Sequence, residues 1–157
     1  MNRRTFIKTA ATAGGAAAIL PQTLFSSGSK KKVKVGFIGT GLRGQWMLWL
    51  ASKYQEVEIP AICDIDNGMI DNAVKILQDG GKPDPHIYNN GEEDFLNMLN
   101  NEELDGVYIA TPWEWHHPMA VAAMKSGIHV GTEVPAALTV EECWDLVNTS
   151  EKTGKLC

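Results

Sequence analysis

The chain has 157 residues, of which 44% are hydrophobic and 21% are charged, and its formal net charge is −5. These values are typical of one globular domain with a single core, and an acidic chain without a basic stripe is not expected to bind nucleic acid. Its three cysteines, Cys63, Cys143 and Cys157, show neither C-x-x-C spacing nor an even count, so we predict no metal cluster and no disulfide framework. We interpret Cys63 and Cys143 as small core residues.

The N-terminal segment differs from the rest of the chain in composition. Arg3 and Arg4 precede a run of small and apolar residues over 9–20, which is too short and too rich in alanine to span a bilayer. Twin arginines ahead of such a run resemble a twin-arginine export signal, so we predict a signal peptide over 1–28 and export to the periplasm. The alternative is a basic N-terminus that carries no address.

The segment 33–44 has the sequence V-K-V-G-F-I-G-T-G-L-R-G. Its β-branched and aromatic residues predict a buried strand, and Gly39, Gly41 and Gly44 follow at once in the spacing G-x-G-x-x-G. A dinucleotide-binding turn needs the first glycine for the tight turn, the second for close approach of a pyrophosphate, and the third for packing of the helix on the strand. The alternative is a glycine-rich turn without a ligand. We expect the next helix to bury one apolar face, formed by Leu42, Trp46, Trp49 and Leu50.

A second predicted strand, over 57–63, ends at Asp64, about 20 residues after the last glycine, where the dinucleotide fingerprint places an acid. A carboxylate at this position can accept hydrogen bonds from both ribose hydroxyls and would repel a 2′-phosphate. We therefore predict NAD, rather than NADP, as the cofactor.

Helices and strands are predicted to alternate along the remaining chain. After an Asn67-Gly68 turn we expect a helix that ends at Gly80-Gly81, with Ile70, Ala73, Val74 and Leu77 inward. A short strand around 87–88, a helix over 92–99 and a strand over 105–110 follow. Pro118 is expected to begin a helix over 119–126, which leads to a strand over 128–131. A capping box at Thr139 and Glu142 opens a last helix, which ends at Gly154 and faces inward through Cys143, Leu146 and Val147.

This alternation predicts an α/β fold with a doubly wound parallel sheet, a Rossmann domain over 33–157. Ligands bind such sheets beyond the carboxyl ends of the strands, where the glycine-rich turn and Asp64 lie. Residues 155–157 resemble the start of a further strand. We therefore expect the chain to stop before a second α/β domain that binds the substrate.

Three segments carry a resemblance to a known family: T-P-W-E-W-H over 111–116, M-A-V-A-A-M-K-S-G-I-H-V over 119–130, and E-V-P over 133–135. With them the chain resembles the Gfo/Idh/MocA family, which includes glucose-fructose oxidoreductase and inositol dehydrogenase. The leader together with G-T-G-L-R-G-Q, C-D-I-D and T-V-E-E-C-W-D-L-V is similar, more narrowly, to glycoside hydrolase family 109. Those enzymes are NAD-dependent, and their known activity is that of an α-N-acetylgalactosaminidase.

The resemblance implies a set of cofactor-binding residues around the glycine-rich turn and two later loops. They are Gly39, Gly41, Leu42, Arg43, Asp64, Thr111, Trp113, Glu114, Trp115, His116, Glu133 and Val134. Arg43 would face the phosphates or stack near the adenine, or else be a solvated surface residue. Trp113 and Trp115 would cover a bound ring or pack on the domain. His116 would donate to the cofactor or to a sugar hydroxyl, with a structural role as the alternative.

One departure from the family pattern bears on function. Oxidoreductases of the wider family usually carry E-K-P, with a lysine that assists proton transfer, whereas this chain has Val134 between Glu133 and Pro135. Because valine cannot move a proton, the sequence favours a redox-assisted glycosidase that oxidises C3 of the sugar transiently and eliminates the aglycone. The alternatives are an NAD-dependent sugar oxidoreductase and a non-catalytic protein that binds NAD or a sugar. The expected partners are a small-molecule glycoside and a second copy of the chain, and we expect the catalytic residues to lie beyond Cys157.

Overall fold

A computed structural model describes residues 32–157, so the predicted signal peptide over 1–28 lies outside the described residues. The strands are β1 Val33–Ile38, β2 Val57–Glu58, β3 Ala61–Cys63, β4 His86–Tyr88, β5 Gly106–Ile109 and β6 His129–Thr132. The helices are α1 Leu42–Ser52, α2 Asn67–Asp79, α3 Asp94–Asn101, α4 Trp113–Lys125 and α5 Val140–Thr153.

The sheet is parallel throughout and has the order β4-β3-β1-β5-β6, with β2 paired to the start of β1. β1 is central, because Phe37 pairs with Ile62 of β3 on one side and with Tyr108 of β5 on the other. The chain order reverses at β1, and in such sheets the carboxyl ends at the reversal form a ligand crevice.

Helices cover both faces of the sheet. Successive side chains of a strand point to opposite faces, so Phe37 and Ile38 of β1 belong to different cores. Phe37 packs with residues of α1 and α2 such as Leu48 and Leu77. Ile38 packs with residues of α3, α4 and α5, among them Met124. The predicted doubly wound fold is therefore confirmed.

The prediction that α1 buries the face with Leu42, Trp46 and Trp49 is wrong. Leu42 is 88% exposed, Trp46 50% and Trp49 47%, while Gly44, Leu48 and Ser52 are buried. The cause is Gly44, since a Cβ atom there would lie 2.0 Å from the carbonyl oxygen of Gly39. Only a glycine fits against the turn at Gly39, and that contact sets the rotation of the whole helix and turns the tryptophans outward.

Proline positions explain two further differences. The predicted strand over 57–63 is split into β2 and β3 at Pro60, which has no N–H to donate to a strand ladder. α4 begins at Trp113 instead of 119 and contains Pro118. The lost hydrogen bond would have ended on the carbonyl of Glu114, and since both residues are exposed, water can satisfy that carbonyl.

Other local predictions had mixed outcomes. Asn67-Gly68 is the first turn of α2, capped by the side chain of Asp66, rather than a separate turn. The capping box of α5 is confirmed, and so is its end at Gly154, but Cys143 and Val147 are exposed. The predicted burial of Leu146 is confirmed, and the other buried residue of α5 is Thr149.

The end of the chain runs beside β6. The predicted strand over 155–157 is not a strand in the structure, although Val130 donates a backbone hydrogen bond to Leu156 at 2.8 Å. Within 32–157, no helix is long and apolar enough to cross a bilayer. The same residues include no group of three or more His, Cys, Asp or Glu side chains that could hold a metal ion.

Candidate functional site

A cavity of about 400 Å³ opens at the carboxyl ends of β1, β3 and β5. It is lined by seven of the residues predicted for the cofactor site: Gly39, Gly41, Leu42, Asp64, Thr111, Glu114 and Trp115. The other five, Arg43, Trp113, His116, Glu133 and Val134, do not line it. The two groups differ in what their side chains contact.

The three glycines of the turn have three different surroundings. Gly39 has φ +85°, and a Cβ atom there would meet the carbonyl of Ala110 at 2.6 Å. Gly44 allows α1 to approach the turn. A Cβ atom on Gly41 would meet no atom within 4 Å, so it would project into open space beside the cavity. This is the arrangement in which the second glycine leaves room for a pyrophosphate.

The N-terminus of α1 lies at the cavity and has no side-chain cap. Its N-cap residue is Gly41, and the first helical hydrogen bond runs from the N–H of Gln45 to the carbonyl of Gly41 at 2.8 Å. The N–H groups of a first helical turn have no acceptor within the helix, and together they carry a partial positive charge. They can therefore bind an anion such as a phosphate group.

Asp64 follows β3 and is bound to the glycine-rich turn. Its Oδ2 accepts hydrogen bonds from the N–H of Thr40 at 2.5 Å and from the Thr40 hydroxyl at 3.0 Å, and its Oδ1 accepts the N–H of Asp66 at 2.9 Å. The acid thus holds the turn in place and lines the cavity at the same time. Thr40, whose exposed fraction is 0%, is a site residue that the glycine spacing alone does not indicate.

Arg43 binds a protein carboxylate and does not point into the cavity. Its Nε lies 2.6 Å from Oε1 of Glu133, and its guanidinium lies 5.1 Å from the ring centre of Trp46. The hydroxyl of Tyr108 donates to the same Glu133 oxygen. These bonds, with Tyr108 contributing most, lower the pKa of Glu133, while burial and the bond to Glu133 raise the pKa of Tyr108 to about 12. In this geometry Arg43 contacts Glu133, whereas a contact of Arg43 with the phosphates was predicted.

The two tryptophans of the 111–116 segment have different roles. Trp113 is 61% exposed at the start of α4. Trp115 lines the cavity and packs edge-on against Phe95, with 6.2 Å between ring centres. Trp115 thus packs on the domain and also lines the cavity, so its covering of a bound ring stays a prediction.

His116 is a structural residue in this geometry. Its exposed fraction is 1%, and its ring nitrogens lie 2.8 Å from the carbonyl oxygens of Pro135 and Thr111. The structural role, which was the alternative for His116, therefore fits this geometry, and its contact with the cofactor or a sugar stays a prediction. His116 instead joins the loop after β5 to the loop after β6.

Cys63, Ile65 and Met69 also line the cavity. Burial raises the pKa of the Cys63 thiol to about 12, so this cysteine stays protonated at neutral pH. Ile65 and Met69 line the cavity beside Asp64, and Ile65 is 63% exposed. An exposed isoleucine directly after the acid offers an apolar surface to a flat ring. Neither residue was predicted as part of the site, although the C-D-I-D segment contains Ile65.

Taken together, the residues fit a dinucleotide. The open space at Gly41 and the uncapped start of α1 suit a pyrophosphate, and Asp64 can accept a hydrogen bond from a ribose. Arg43 and His116 support the site through contacts with other protein groups.

Curated relatives at high identity carry glycosidase names. A glycosyl hydrolase family 109 protein of Parabacteroides distasonis is 47% identical over 168 aligned positions, which cover 97% of this chain and 36% of that protein. An α-N-acetylgalactosaminidase of Tannerella forsythia is 47% identical over 171 positions, with coverage of 97% and 36%. The resemblance to glycoside hydrolase family 109 is therefore confirmed, and the chain spans about a third of the length of these relatives.

Solved structures share the fold. Scyllo-inositol dehydrogenase from Lactobacillus casei, with bound NAD(H) and scyllo-inositol, superposes with a TM-score of 0.69 at 24% identity, covering 81% of this chain and 36% of that one. The WlbA dehydrogenase from Chromobacterium violaceum, in complex with NADH and UDP-GlcNAcA, has a TM-score of 0.69 at 23% identity, with coverage of 82% and 35%. At these identities the likeness concerns the fold.

A family model places the chain more directly. Residues 33–157 match the model described as oxidoreductase family, NAD-binding Rossmann fold. This match covers the whole described domain except its first residue, including the glycine-rich turn, Asp64 and the loops after β5 and β6. The chain belongs to the Gfo/Idh/MocA family, and its Rossmann domain binds NAD.

Proposed function

We propose that this chain is the NAD-binding part of a redox-assisted glycosidase that hydrolyses α-N-acetylgalactosaminides or related glycosides. The proposal concerns a longer protein, since the chain spans about a third of the relatives it matches. Two of those relatives, at 47% identity, support it by their names, one a glycosyl hydrolase family 109 protein and the other an α-N-acetylgalactosaminidase.

The described residues supply binding and orientation. When bound, NAD would supply a reversible hydride transfer at C3 of the sugar, so that elimination of the aglycone across C1 and C2, followed by addition of water, gives hydrolysis without net redox change. The start of α1 would hold the pyrophosphate, and Asp64 would orient the ribose. Trp115 and Met119 provide an apolar wall that would keep water away from the part of the cavity that they line.

Val134 is the observation that carries the proposal. It follows β6 and Glu133, is 81% exposed and has no group that can transfer a proton, where oxidoreductases of the family usually carry a lysine. Among the described residues, the neighbouring Glu133 and His116 do not replace that lysine, because Glu133 is bonded to Tyr108 and Arg43, and both ring nitrogens of His116 lie 2.8 Å from backbone carbonyl oxygens. A dehydrogenase that depends on this lysine is therefore disfavoured.

The test uses the protein as its host produces it, with an aryl α-N-acetylgalactosaminide in deuterated water. We expect release of the aryl group without accumulation of NADH, and one deuterium at C2 of the released sugar, because elimination exchanges that proton with solvent. Hydrolysis without deuterium at C2 would contradict the redox-assisted route and indicate a pair of carboxylates instead. The 157-residue chain, assayed in parallel, is expected to bind NAD without turnover.

The second candidate is an NAD-dependent sugar oxidoreductase. The name of the matching family model, which is that of an oxidoreductase family, favours it. In the same assay this activity would produce NADH in proportion to the sugar consumed. Binding of NAD with neither product would indicate a non-catalytic protein.

Export by the twin-arginine route is part of the proposal. The supporting observation is the pair Arg3 and Arg4 ahead of the apolar run over 9–20, and it rests on the sequence. Changing both arginines to lysine keeps the charge, and we expect the folded protein to remain in the cytoplasm. Unchanged periplasmic recovery in a cell fractionation would show that the segment is not a twin-arginine signal.

A further inference from the structure

The carboxylate of Asp64 already accepts three hydrogen bonds. Oδ2 accepts the N–H and the hydroxyl of Thr40, at 2.5 and 3.0 Å, and Oδ1 accepts the N–H of Asp66 at 2.9 Å. An ionised carboxylate offers about four lone-pair positions, two on each oxygen. Oδ2 therefore has both positions filled, and the remaining position is on Oδ1.

Thr40 holds this arrangement from a fully buried position. Its exposed fraction is 0%, and it lies between Gly39 and Gly41 in the turn that carries α1. Its carbonyl accepts a hydrogen bond from the side chain of Gln45 at 2.9 Å, which further restrains the turn. The Asp64 carboxylate cannot rotate without breaking two hydrogen bonds to an ionised group, and such bonds are stronger than those between neutral groups.

We propose that Thr40 is a positioning residue that presents only Oδ1 of Asp64 to the cofactor. Through this carboxylate the site then binds one of the two hydroxyls of the adenosine ribose, rather than both as the sequence suggested. The inference rests on NAD binding by the Rossmann domain. It is independent of the glycosidase proposal, which could fail without affecting it.

The first test compares NAD with its 2′-deoxy and 3′-deoxy analogues, modified in the adenosine ribose, by calorimetry on the 157-residue chain. One analogue should lose about tenfold or more in affinity, because it leaves the free position of the carboxylate without a donor, and the other less than about threefold. Equal losses for the two analogues, whether large or small, would overturn the claim of a single hydroxyl. This comparison needs no variant.

The second test separates positioning from a merely structural role. Thr40→Val keeps the shape of the side chain and removes its hydroxyl, which frees a position on Oδ2. The difference between the two analogues should then shrink by about threefold or more, since either oxygen can accept a ribose hydroxyl. Thr40→Ser keeps the hydroxyl and should keep the difference. If Thr40 only held the turn, its loss would weaken all three ligands by the same factor, and that result would overturn the positioning role.

Thr149→Val is the matched control. Thr149 is also buried, and its hydroxyl lies 3.5 Å from Oδ1 of Asp145, but it belongs to α5 and does not line the cavity. We expect this variant to leave the difference between the analogues unchanged. Thermal unfolding of each variant confirms that it is folded, and Thr40→Ala replaces Thr40→Val if the latter does not fold.

Discussion

The starts of α1 and α5 are built in opposite ways. At α5, the hydroxyl of Thr139 accepts the N–H of Glu142 at 3.1 Å, and the Glu142 carboxylate accepts the N–H groups of Leu138 and Thr139 at 2.6 and 3.2 Å. At α1, Gly41 occupies the N-cap position and offers no side chain. In the first turn of α5 the N–H of Glu142 is bonded to the Thr139 hydroxyl, whereas the first turn of α1 has no side-chain cap and begins at the cavity.

This difference separates residues that serve stability from residues that serve binding. A side chain that caps a helix stabilises it by about 1 kcal/mol relative to alanine but only by roughly a few tenths of a kcal/mol relative to glycine, so α1 loses little stability by having Gly41 as its N-cap. In exchange its N–H groups stay available to an anion, and a capping side chain would compete with the cofactor for them. Variants at the start of α1 should therefore affect NAD affinity, and variants at the start of α5 should affect stability. Gly44 is the exception, because it serves both.

The largest effect is expected for Gly44→Ala, the exception. The new Cβ atom would lie 2.0 Å from the carbonyl oxygen of Gly39, so α1 must move away from β1. We expect the free energy of unfolding to fall by about 3 kcal/mol or more, together with loss of NAD binding. Urea denaturation and calorimetry measure the two quantities. A variant of normal stability would show that the close packing of α1 on the turn is not required.

Gly41→Ala should separate binding from folding. The residue has φ −64°, which alanine tolerates, and nothing lies within 4 Å of the new methyl group. Unfolding free energy should change by less than about 1 kcal/mol. NAD affinity should fall by roughly 10- to 100-fold, because the methyl group occupies the space that the pyrophosphate needs. Calorimetry that gives wild-type affinity would remove Gly41 from the site.

Thr139→Ala should have the complementary result at α5. Loss of the cap should cost about 1 kcal/mol of unfolding free energy, and NAD affinity should not change, because α5 starts outside the cavity. Thr139→Ser keeps an acceptor and serves as the control. If the alanine variant weakened NAD binding while remaining folded, the separation between the two helix ends would be wrong.

Glu133→Gln tests the hydrogen bonds that Glu133 accepts from Arg43 of α1 and from Tyr108 of β5. Hydrogen bonds from Tyr108 and Arg43 lower the pKa of Glu133 from its ordinary value of 4.5. A carboxyl whose pKa is lower in the folded state adds stability above its unfolded pKa and loses it as the pH falls through the folded pKa. We therefore expect the wild-type chain to lose stability below about pH 4.5 more steeply than Glu133→Gln.

At pH 7 the same variant should be slightly less stable, because a neutral amide binds Tyr108 and Arg43 more weakly than a carboxylate does, although water screens the exposed Arg43. Thermal unfolding between pH 3 and pH 7 measures both changes. Parallel pH profiles for the wild-type and variant chains would show that these bonds do not contribute to stability.

The sequence by itself determined the features that depend on residues close together in the chain. The glycine spacing, the acid after β3, the capping box at Thr139 and Glu142, and the helix end at Gly154 were all recognisable, because each is a contact between near neighbours or a rule of strand order. The order of strands and helices followed from periodicity, and the family from short motifs around Trp113 and His116.

Only the tertiary structure decided which side chains face the cavity. Arg43 binds Glu133 from 90 positions away, and His116 binds the carbonyl of Pro135 from 19 positions away. The tryptophans of α1 were predicted to face inward, yet Trp46 is 50% and Trp49 47% exposed, because the approach of Gly44 to Gly39 sets the rotation of the helix. The local sequence pattern predicts which residues lie near the carboxyl ends of the strands. The contacts that Arg43 and His116 make there are determined by the packing of α1 on β1 and by the neighbouring ends of β5 and β6. These contacts join residues that are far apart in the chain, so the spacing of residues in the sequence does not reveal them.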